Sequence, residues 1–514
     1  MNLSELDFRP LTYIKRGIER EALRVTLKGN VAQSPHSKHL GEKLTHPNIT
    51  VDYSEGLLEL ITEPFEGYTP LFNSLDSYLN FTYQNLENHE LLWPMSMPPT
   101  STEAEIQIAE FGHSNSGMMK HIYRKGLAVR YGKIMQIIAG IHYNFSFPDE
   151  FLMQLISNSD TQEHSIAYYK NKYYFRLIRK FYQNAWILLY LFGATPLIAK
   201  TSVKDKHQLN VFDSDYYYHE HATCLRMSEF GYQSQAQKDL HISYRDITSY
   251  VSDLIKATQI PYSKYTQLGV LDKEYGYKQL NDCILQIENE YYNPIRPKQI
   301  VHRCERPACA LSKRGVSYIE LRTLDINPFI AQGLDIQSAK FLDVFFLYCL
   351  LAEAPMYSKS MIQTAKANFA LVANYGRNPN LKLYKNKEIL LNDWAEIILD
   401  ECLSIAQKWD ETNKSNDYTL AVNAQIEKLT NKDKTPSAML INSIKQSGLN
   451  SAQWMLTKAY EHQKSTLATN LTASELTKLK REVIDSQEAL KLLEAKEEGA
   501  YESYIQRYYA SVCR

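Results

Sequence analysis

Four short stretches within the first 326 residues alternate their side chains at a period of two: GIEREALR from Gly17, TVDYSEGLLELIT from Thr50, GIHYNFSF from Gly140 and SYIELRTLDI from Ser317. Read as strands, each sets acidic or polar groups on one face. A sheet built from them must pack its apolar face against helices. Its polar face must either meet water or enclose something cationic. Glu19 and Glu21 on one strand face stand roughly 6.5–7 Å apart, and at an effective dielectric near 20 they repel by about 2 kcal/mol. Water screens such a pair on an open surface; facing inward, the pair needs a cation.

The faces can be read residue by residue. Glu19, Glu21 and Leu23 share one side of the first stretch, with Ile18, Arg20, Ala22 and Arg24 on the other. In the second, Tyr53, Glu55, Leu57 and Glu59 fall together as a strand, and Glu55 and Glu59 also align as a helix, so the acids point together either way. Ile141, Tyr143, Phe145 and Phe147 oppose His142, Asn144 and Ser146, while Glu320 and Arg322 share a face with Tyr318 and Leu324. Hard cations such as Mg²⁺ or Mn²⁺ prefer oxygen ligands, often a few carboxylates plus substrate phosphates. Glu19, Glu21, Glu59 and Glu320 suit that role, with His142 as a single softer ligand, although His142 alone reads as a core histidine. An arginine beside such ions is what phosphoryl transfer asks for. On the pattern alone two readings stand, a metal–phosphate site and a set of solvated strand faces.

The strands are not regularly separated by helices, which favours an α+β fold with an antiparallel sheet over a doubly wound parallel one. Helical spacing covers Pro70 to Leu86 and Tyr168 to Leu191 in this part. From about Asp335 the chain reads almost wholly helical, as in Phe341 to Leu351, Trp394 to Trp409, Ala438 to Ile444 and Trp454 to Ala459, with a loop at Thr430 to Pro436. Thr472 and Glu475 form a capping box before a long charged closing helix. The expected division is therefore a catalytic α+β region, 1–334, and a mainly helical region, 335–514.

Composition narrows the function classes. Lys plus Arg number 57 against 58 Asp plus Glu, without a single-sign block, so neither nucleic acid nor a membrane surface is implied as partner. The first twenty residues lack the apolar stretch of a signal peptide, and the longest uncharged run, Ala185 to Ala199, is too short to span a bilayer, so a cytoplasmic location is expected. Seven scattered cysteines read as reduced thiols, and Cys304 with Cys309 lacks the second pair a structural zinc needs. There is no Walker-type loop, no kinase signature set and no GxGxxG after a strand. No GxSxG elbow occurs, and Cys224 has no base partner, so a covalent side-chain nucleophile is not supported.

GIEREALR, TVDYSEGLLELIT, LLWPMSMPP, FGHSNSGMMKHIYRKGLAVRYG, GIHYNFS, CLRMSEFGYQS, IENEYYNPIRPKQ and YIELRTLDINPF, in this order from Gly17 to Phe329, closely resemble the proteobacterial type of the glutamate-cysteine ligase (γ-glutamylcysteine synthetase) family. The helical last third matches loosely. The resemblance implies a fold related to glutamine synthetase, in which an antiparallel sheet curls into a funnel-shaped active site packed with helices. It implies ATP as co-substrate and Mg²⁺ or Mn²⁺ as cofactor, in a reaction that joins the γ-carboxylate of L-glutamate to the amine of L-cysteine through γ-glutamyl phosphate, the first step of glutathione biosynthesis.

By position, Glu19, Glu21, Glu59, His142 and Glu320 resemble the family's metal ligands, with Asp52 in the same lining. Arg322 resembles the residue steadying the transferred phosphate, and Arg226 the one holding a substrate α-carboxylate. Tyr53, Tyr123, Leu127, Gln136, Tyr232 and Tyr292 resemble the cysteine pocket, where Tyr53 adds a hydroxyl at a position that is often Phe. The resemblance implies glutathione as a feedback ligand. The alternatives are a related ligase taking another amine and a non-catalytic sensor on the same scaffold. A bifunctional enzyme would need a further ATP-grasp domain after the helical part, for which the chain has no room before Arg514, so a separate glutathione synthetase is expected.

Overall fold

A computed structural model describes residues 3–156, 164–203, 208–232, 234–274, 276–496, 499–511 and 513. Its centre is a seven-stranded sheet of β1 (Lys15–Val25), β2 (Ile49–Val51), β3 (Leu57–Ile61), β4 (Leu91–Leu92), β5 (Ile141–Ser146), β6 (Ile295–Lys298) and β7 (Tyr318–Leu324). The order is β6-β7-β5-β1-β3-β2, β4 pairs with the end of β1, and every pairing is antiparallel. The long β1 is the spine. Its first half runs beside β5 and its second beside β3, so Glu19 lies opposite His142 and Glu21 opposite Glu59.

Around the sheet lie α1 (Tyr68–Asn85), α2 (Asn115–Tyr131), α3 (Ile166–Asn184), α4 (Trp186–Phe192), α5 (Pro307–Arg314), α6 (Ile336–Leu351), α7 (Leu391–Asn413), α8 (Pro436–Ser447), α9 (Ser451–Leu467), α10 (Ala473–Lys496) and α11 (Tyr501–Ala510). Helix α6 is apolar nearly all round and accordingly buried. Its Phe346 packs on Phe145 at 5.0 Å between ring centroids. Asp343, also on α6, is fully buried and accepts from Arg16 Nε at 2.5 Å, Tyr68 Oη at 2.5 Å and Tyr143 Oη at 2.8 Å. That network fixes the apolar side of the sheet to the helical last third of the chain, and one hydrophobic cluster runs through both.

The strand reading of GIHYNFSF holds: Ile141, Tyr143 and Phe145 are in the core, while His142 faces the opposite side. Two readings of faces change. TVDYSEGLLELIT is not one strand, because Asp52 to Gly56 turn the chain back from β2 into β3. Glu55 therefore leaves Glu59 behind; it pairs with Lys43 at 2.5 Å and accepts the Glu110 N–H. In β7 the register against β5 shifts between Leu321 and Leu324, which puts both leucines on the core side and separates Leu324 from Glu320 and Arg322. An extra residue in one strand reverses the alternation beyond it.

Among the helices, 168–191 is two helices meeting at Ala185, whose own backbone stays helical. The Thr472–Glu475 box is formed in both directions. The closing segment is α10 and α11, separated around Gly499, which has φ +102°. The reading of seven reduced thiols is corrected as well: Cys309 on α5 and Cys513 form a disulfide across 204 residues of sequence, a contact that local spacing does not encode. No helix among the described residues is long and apolar enough to cross a membrane.

Candidate active site

The polar face of the sheet lines a cavity of about 370 Å³. All fourteen residues singled out in the sequence line it: Glu19, Glu21, Asp52, Tyr53, Glu59, Tyr123, Leu127, Gln136, His142, Arg226, Tyr232, Tyr292, Glu320 and Arg322. Strand register makes the central cluster, since neighbours in register on antiparallel strands share a face. His142 Nδ1 lies 2.9 Å from Glu19 Oε2 and 3.7 Å from Glu320 Oε1, and its Nε2 lies 3.5 Å from Glu21 Oε1. Ligand atoms of Glu19, His142 and Glu320 all fall within 4.8 Å of one another. Asn144 donates to Glu19 at 2.8 Å and the Gly140 N–H to Glu21 at 2.6 Å, which orients both carboxylates.

The charges in this cluster are out of balance. Burial, and then the Glu19, Asp52 and Glu21 carboxylates, push the Glu59 carboxyl well above the usual range. Glu21 is also raised, by burial first and by Asp52 next among the groups that raise it. Burial acts on Glu320 in the same sense, but Lys298, Arg322 and Arg296 outweigh it and hold that carboxyl well below the usual range. Even so, Glu320 Oε2 is buried with no hydrogen-bond partner. Crowded, oriented carboxylates with an orphaned oxygen, beside one imidazole, could hold a hard divalent cation.

Cationic groups ring the cluster. Arg322 Nη1 reaches Glu320 Oε1 at 3.1 Å, and its buried Nε has no partner. Arg226 lies across the Ala139 and Arg322 carbonyls at 3.0 and 3.1 Å, with Asp325 3.8 Å away. Gly140 makes that approach possible: a Cβ there would sit 2.0 Å from Arg226 Nη2. Cys224 donates to Asp325 at 3.3 Å, and burial followed by that carboxylate pushes its thiol well up, so it is no nucleophile.

Helix α2 forms one wall. Ser114 caps it by accepting the Gly117 N–H at 3.1 Å, and Gly132, at φ +85°, ends it. Lys120, Tyr123, Arg124 and Leu127, spaced at 3, 4 and 7 from the first, all line the cavity. Across from them the Tyr232 ring lies tilted against Tyr292 at 4.9 Å and against Tyr131 at 5.5 Å between centroids. The outer face of α2 packs under the C-terminal α11, where Met119 and Ile122 meet Tyr501 and Tyr508. Tyr509 Oη donates to the Gln286 carbonyl at 2.7 Å, and Gln286 in turn donates to the Tyr123 carbonyl at 3.1 Å.

Sequence reasoning missed four cavity cations. Lys120 and Arg124 follow from the helical spacing that placed Tyr123 and Leu127 on one face. Arg296 and Lys298 alternate on β6 opposite Glu320 and Tyr318, inside the quoted IENEYYNPIRPKQ. Burial, and next the Arg124 charge, lower the Lys120 ammonium to about 8, against the pull of Glu59 and Asp52.

A profile of the glutamate-cysteine ligase family matches residues 3–372. The glutamate–cysteine ligase of Pseudomonas fluorescens is 41% identical over 499 residues, covering 96% of this chain and 93% of the relative. Among solved structures, the Francisella tularensis glutamate–cysteine ligase in complex with AMP superposes with a TM-score of 0.91 at 44% identity, over 97% of each chain. A bifunctional glutathione synthetase from Pasteurella multocida shares the fold at a TM-score of 0.70 and 24% identity, over 89% of this chain and 53% of that one.

Proposed function

The chain belongs to the glutamate-cysteine ligase family, and on that premise we propose how its own residues divide the work. The protein is an ATP-dependent ligase that couples L-glutamate to L-cysteine in glutathione synthesis. A carboxylate is a poor electrophile at neutral pH. The γ-carboxylate oxygen of glutamate attacks the terminal phosphorus of ATP and releases ADP; the cysteine amine then attacks the acyl carbon, loses a proton and expels phosphate.

Glu19, Glu21, Glu59, His142 and Glu320 would hold Mg²⁺ or Mn²⁺, and the misfit of their charges in its absence supports that assignment. When bound, such ions offset the charge that builds between nucleotide and γ-carboxylate. Arg322, already beside Glu320 and with its Nε free, steadies the transferred phosphoryl group. Arg226 receives the glutamate α-carboxylate at the cavity wall, its guanidinium fixed by two backbone carbonyls. Tyr53, Tyr123, Leu127, Gln136, Tyr232 and Tyr292 enclose the acceptor amino acid and exclude water from the acyl phosphate, with Asp52 beside them. We assign the chemistry to residues 1–334 and a bracing role to 335–514, whose α6 and α11 hold the sheet and α2. A cytoplasmic location and feedback by glutathione complete the reading.

The observation that carries it is the convergence of carboxylates from β1, β3 and β7 with one imidazole from β5, next to Arg322. The test is phosphate release from ATP with glutamate and magnesium, measured with and without cysteine. Cysteine-dependent release that vanishes with chelator is expected; release indifferent to cysteine, or an equal rate with 2-aminobutyrate, alanine or ammonia, overturns the choice of acceptor.

A further inference from the structure

Six cationic side chains line the cavity, and five of them are held by the protein. Arg124 donates to the carbonyls of Asp52 and Lys120, and Arg226 to those of Ala139 and Arg322. Arg296 donates to Asn293 and to the Asn289 and Tyr291 carbonyls. Lys298 and Arg322 both reach Glu320, at 3.5 and 3.1 Å. The sixth, Lys120, differs. Among the described residues no hydrogen bond or ion pair joins its ammonium to the protein; the nitrogen rests 5.1 Å over the Phe111 ring, reachable by solvent.

A free ammonium inside a substrate cavity is a place for an anion. Its position says which one. Lys120 lies on the same face of α2 as Tyr123 and Leu127, one turn towards the N-terminus, with the Asp52 and Glu59 carboxylates near it. Arg226, which serves the glutamate α-carboxylate, comes from another segment of the chain. Of the negative groups on the substrates, the one that belongs beside Tyr123 and Leu127 is the α-carboxylate of the acceptor amino acid. We propose that Lys120 binds that carboxylate and so selects an α-amino acid over a simple amine. This inference rests on the reading of the α2 wall as the acceptor side. Cation–π contact with Phe111 holds the ammonium in place without satisfying its donors, and the Asp52 and Glu59 carboxylates lie near it without pairing with it.

The test compares cysteine with cysteamine, which keeps the amine and thiol and lacks the carboxylate. In the wild-type holoenzyme kcat/KM should favour cysteine strongly. In Lys120→Met the value for cysteine should fall by about tenfold or more, the scale of a hydrogen bond to a charged group, while that for cysteamine stays within roughly threefold. KM for glutamate and ATP should be unchanged, and Lys120→Arg should recover part of the loss. Equal losses with both acceptors, or no loss with cysteine, overturn the proposal; Lys120→Gln supplies the same comparison if the methionine variant is poorly folded. Failure of the wild type to use cysteine at all would instead overturn the reaction assigned above.

Discussion

Removing one carboxylate from the cavity should make the metal-free protein more stable and the metal-loaded protein less so. Glu59 stands in register with Glu21, where facing Cβ atoms lie about 4.5–5.5 Å apart. Two ionised carboxylates roughly 6 Å apart repel by about 3 kcal/mol at an effective dielectric near 20. Part of that is avoided because burial and the Glu19, Asp52 and Glu21 carboxylates push the Glu59 carboxyl well up and so favour its uncharged form. A residual gain of about 1–2 kcal/mol is expected for Glu59→Gln in chelator. With an unfolding entropy near 2.1 cal/mol/K per residue, a chain of this length shifts by about 1 °C per kcal/mol, so Tm should rise by about 1–2 °C.

Saturating magnesium should stabilise the wild type by about 2.7 kcal/mol at a hundred times its Kd, and the variant by clearly less. The pH dependence has a definite sign. A carboxyl whose folded-state pKa is raised favours the folded state at low pH, and that contribution is lost as pH rises from the ordinary carboxyl value through the folded one. Wild-type protein in chelator should lose Tm along that rise, and the variant should show a shallower slope. Thermal scans with chelator and with a magnesium titration, run beside phosphate release, measure all three effects. A variant less stable than wild type in chelator, with an undiminished response to magnesium, would refute the reasoning.

Two other perturbations have signs fixed by the structure. Burial keeps His36 near 3 and His46 and His462 near 4, well below the ordinary value. The unfolded chain takes up these protons first, so their contribution is intact above about pH 6.5 and shrinks as pH falls, by about 2 kcal/mol per histidine at pH 5. Urea unfolding at pH 7 and pH 5 should show the difference reduced by that amount in His462→Gln; an unchanged difference would contradict it. Gly140→Ala drives a methyl to within 2.0 Å of Arg226 Nη2, so the guanidinium must move. KM for glutamate should rise at least about tenfold with the magnesium-induced Tm gain retained, and an unaltered KM would dissociate Arg226 from glutamate.

Much of the site was legible because it sits on strands whose alternation is local. Glu19 and Glu21, His142, and Glu320 with Arg322 were all placed on the correct side by counting in twos, and Tyr123 with Leu127 by counting in fours. Glu55 failed the same count because a turn at Asp52 to Gly56 interrupts the alternation, and Leu324 failed because of the register shift after Leu321. The turn carries Asp52, Ser54 and Gly56, residue types that favour turns and that a count in twos passes over, whereas the shift after Leu321 has no such mark. Lys120 was overlooked although its spacing was visible, since a lysine on a helix is ordinarily a solvated one, and only the cavity in front of it makes it otherwise.

The sequence by itself determined which side chains share a face, where helices start, as at the Thr472 box, and that the last third is helical, because these depend on neighbours within a few residues. Only the tertiary structure decided that four strands separated by up to three hundred positions lie in one order around a common cavity. It also decided that Asp343 answers Arg16, and that Cys513 returns to Cys309 behind the helix bracing α2. Those pairings are set by how large apolar faces bury one another. That free energy belongs to the whole chain, and it leaves no period in any stretch short enough to read.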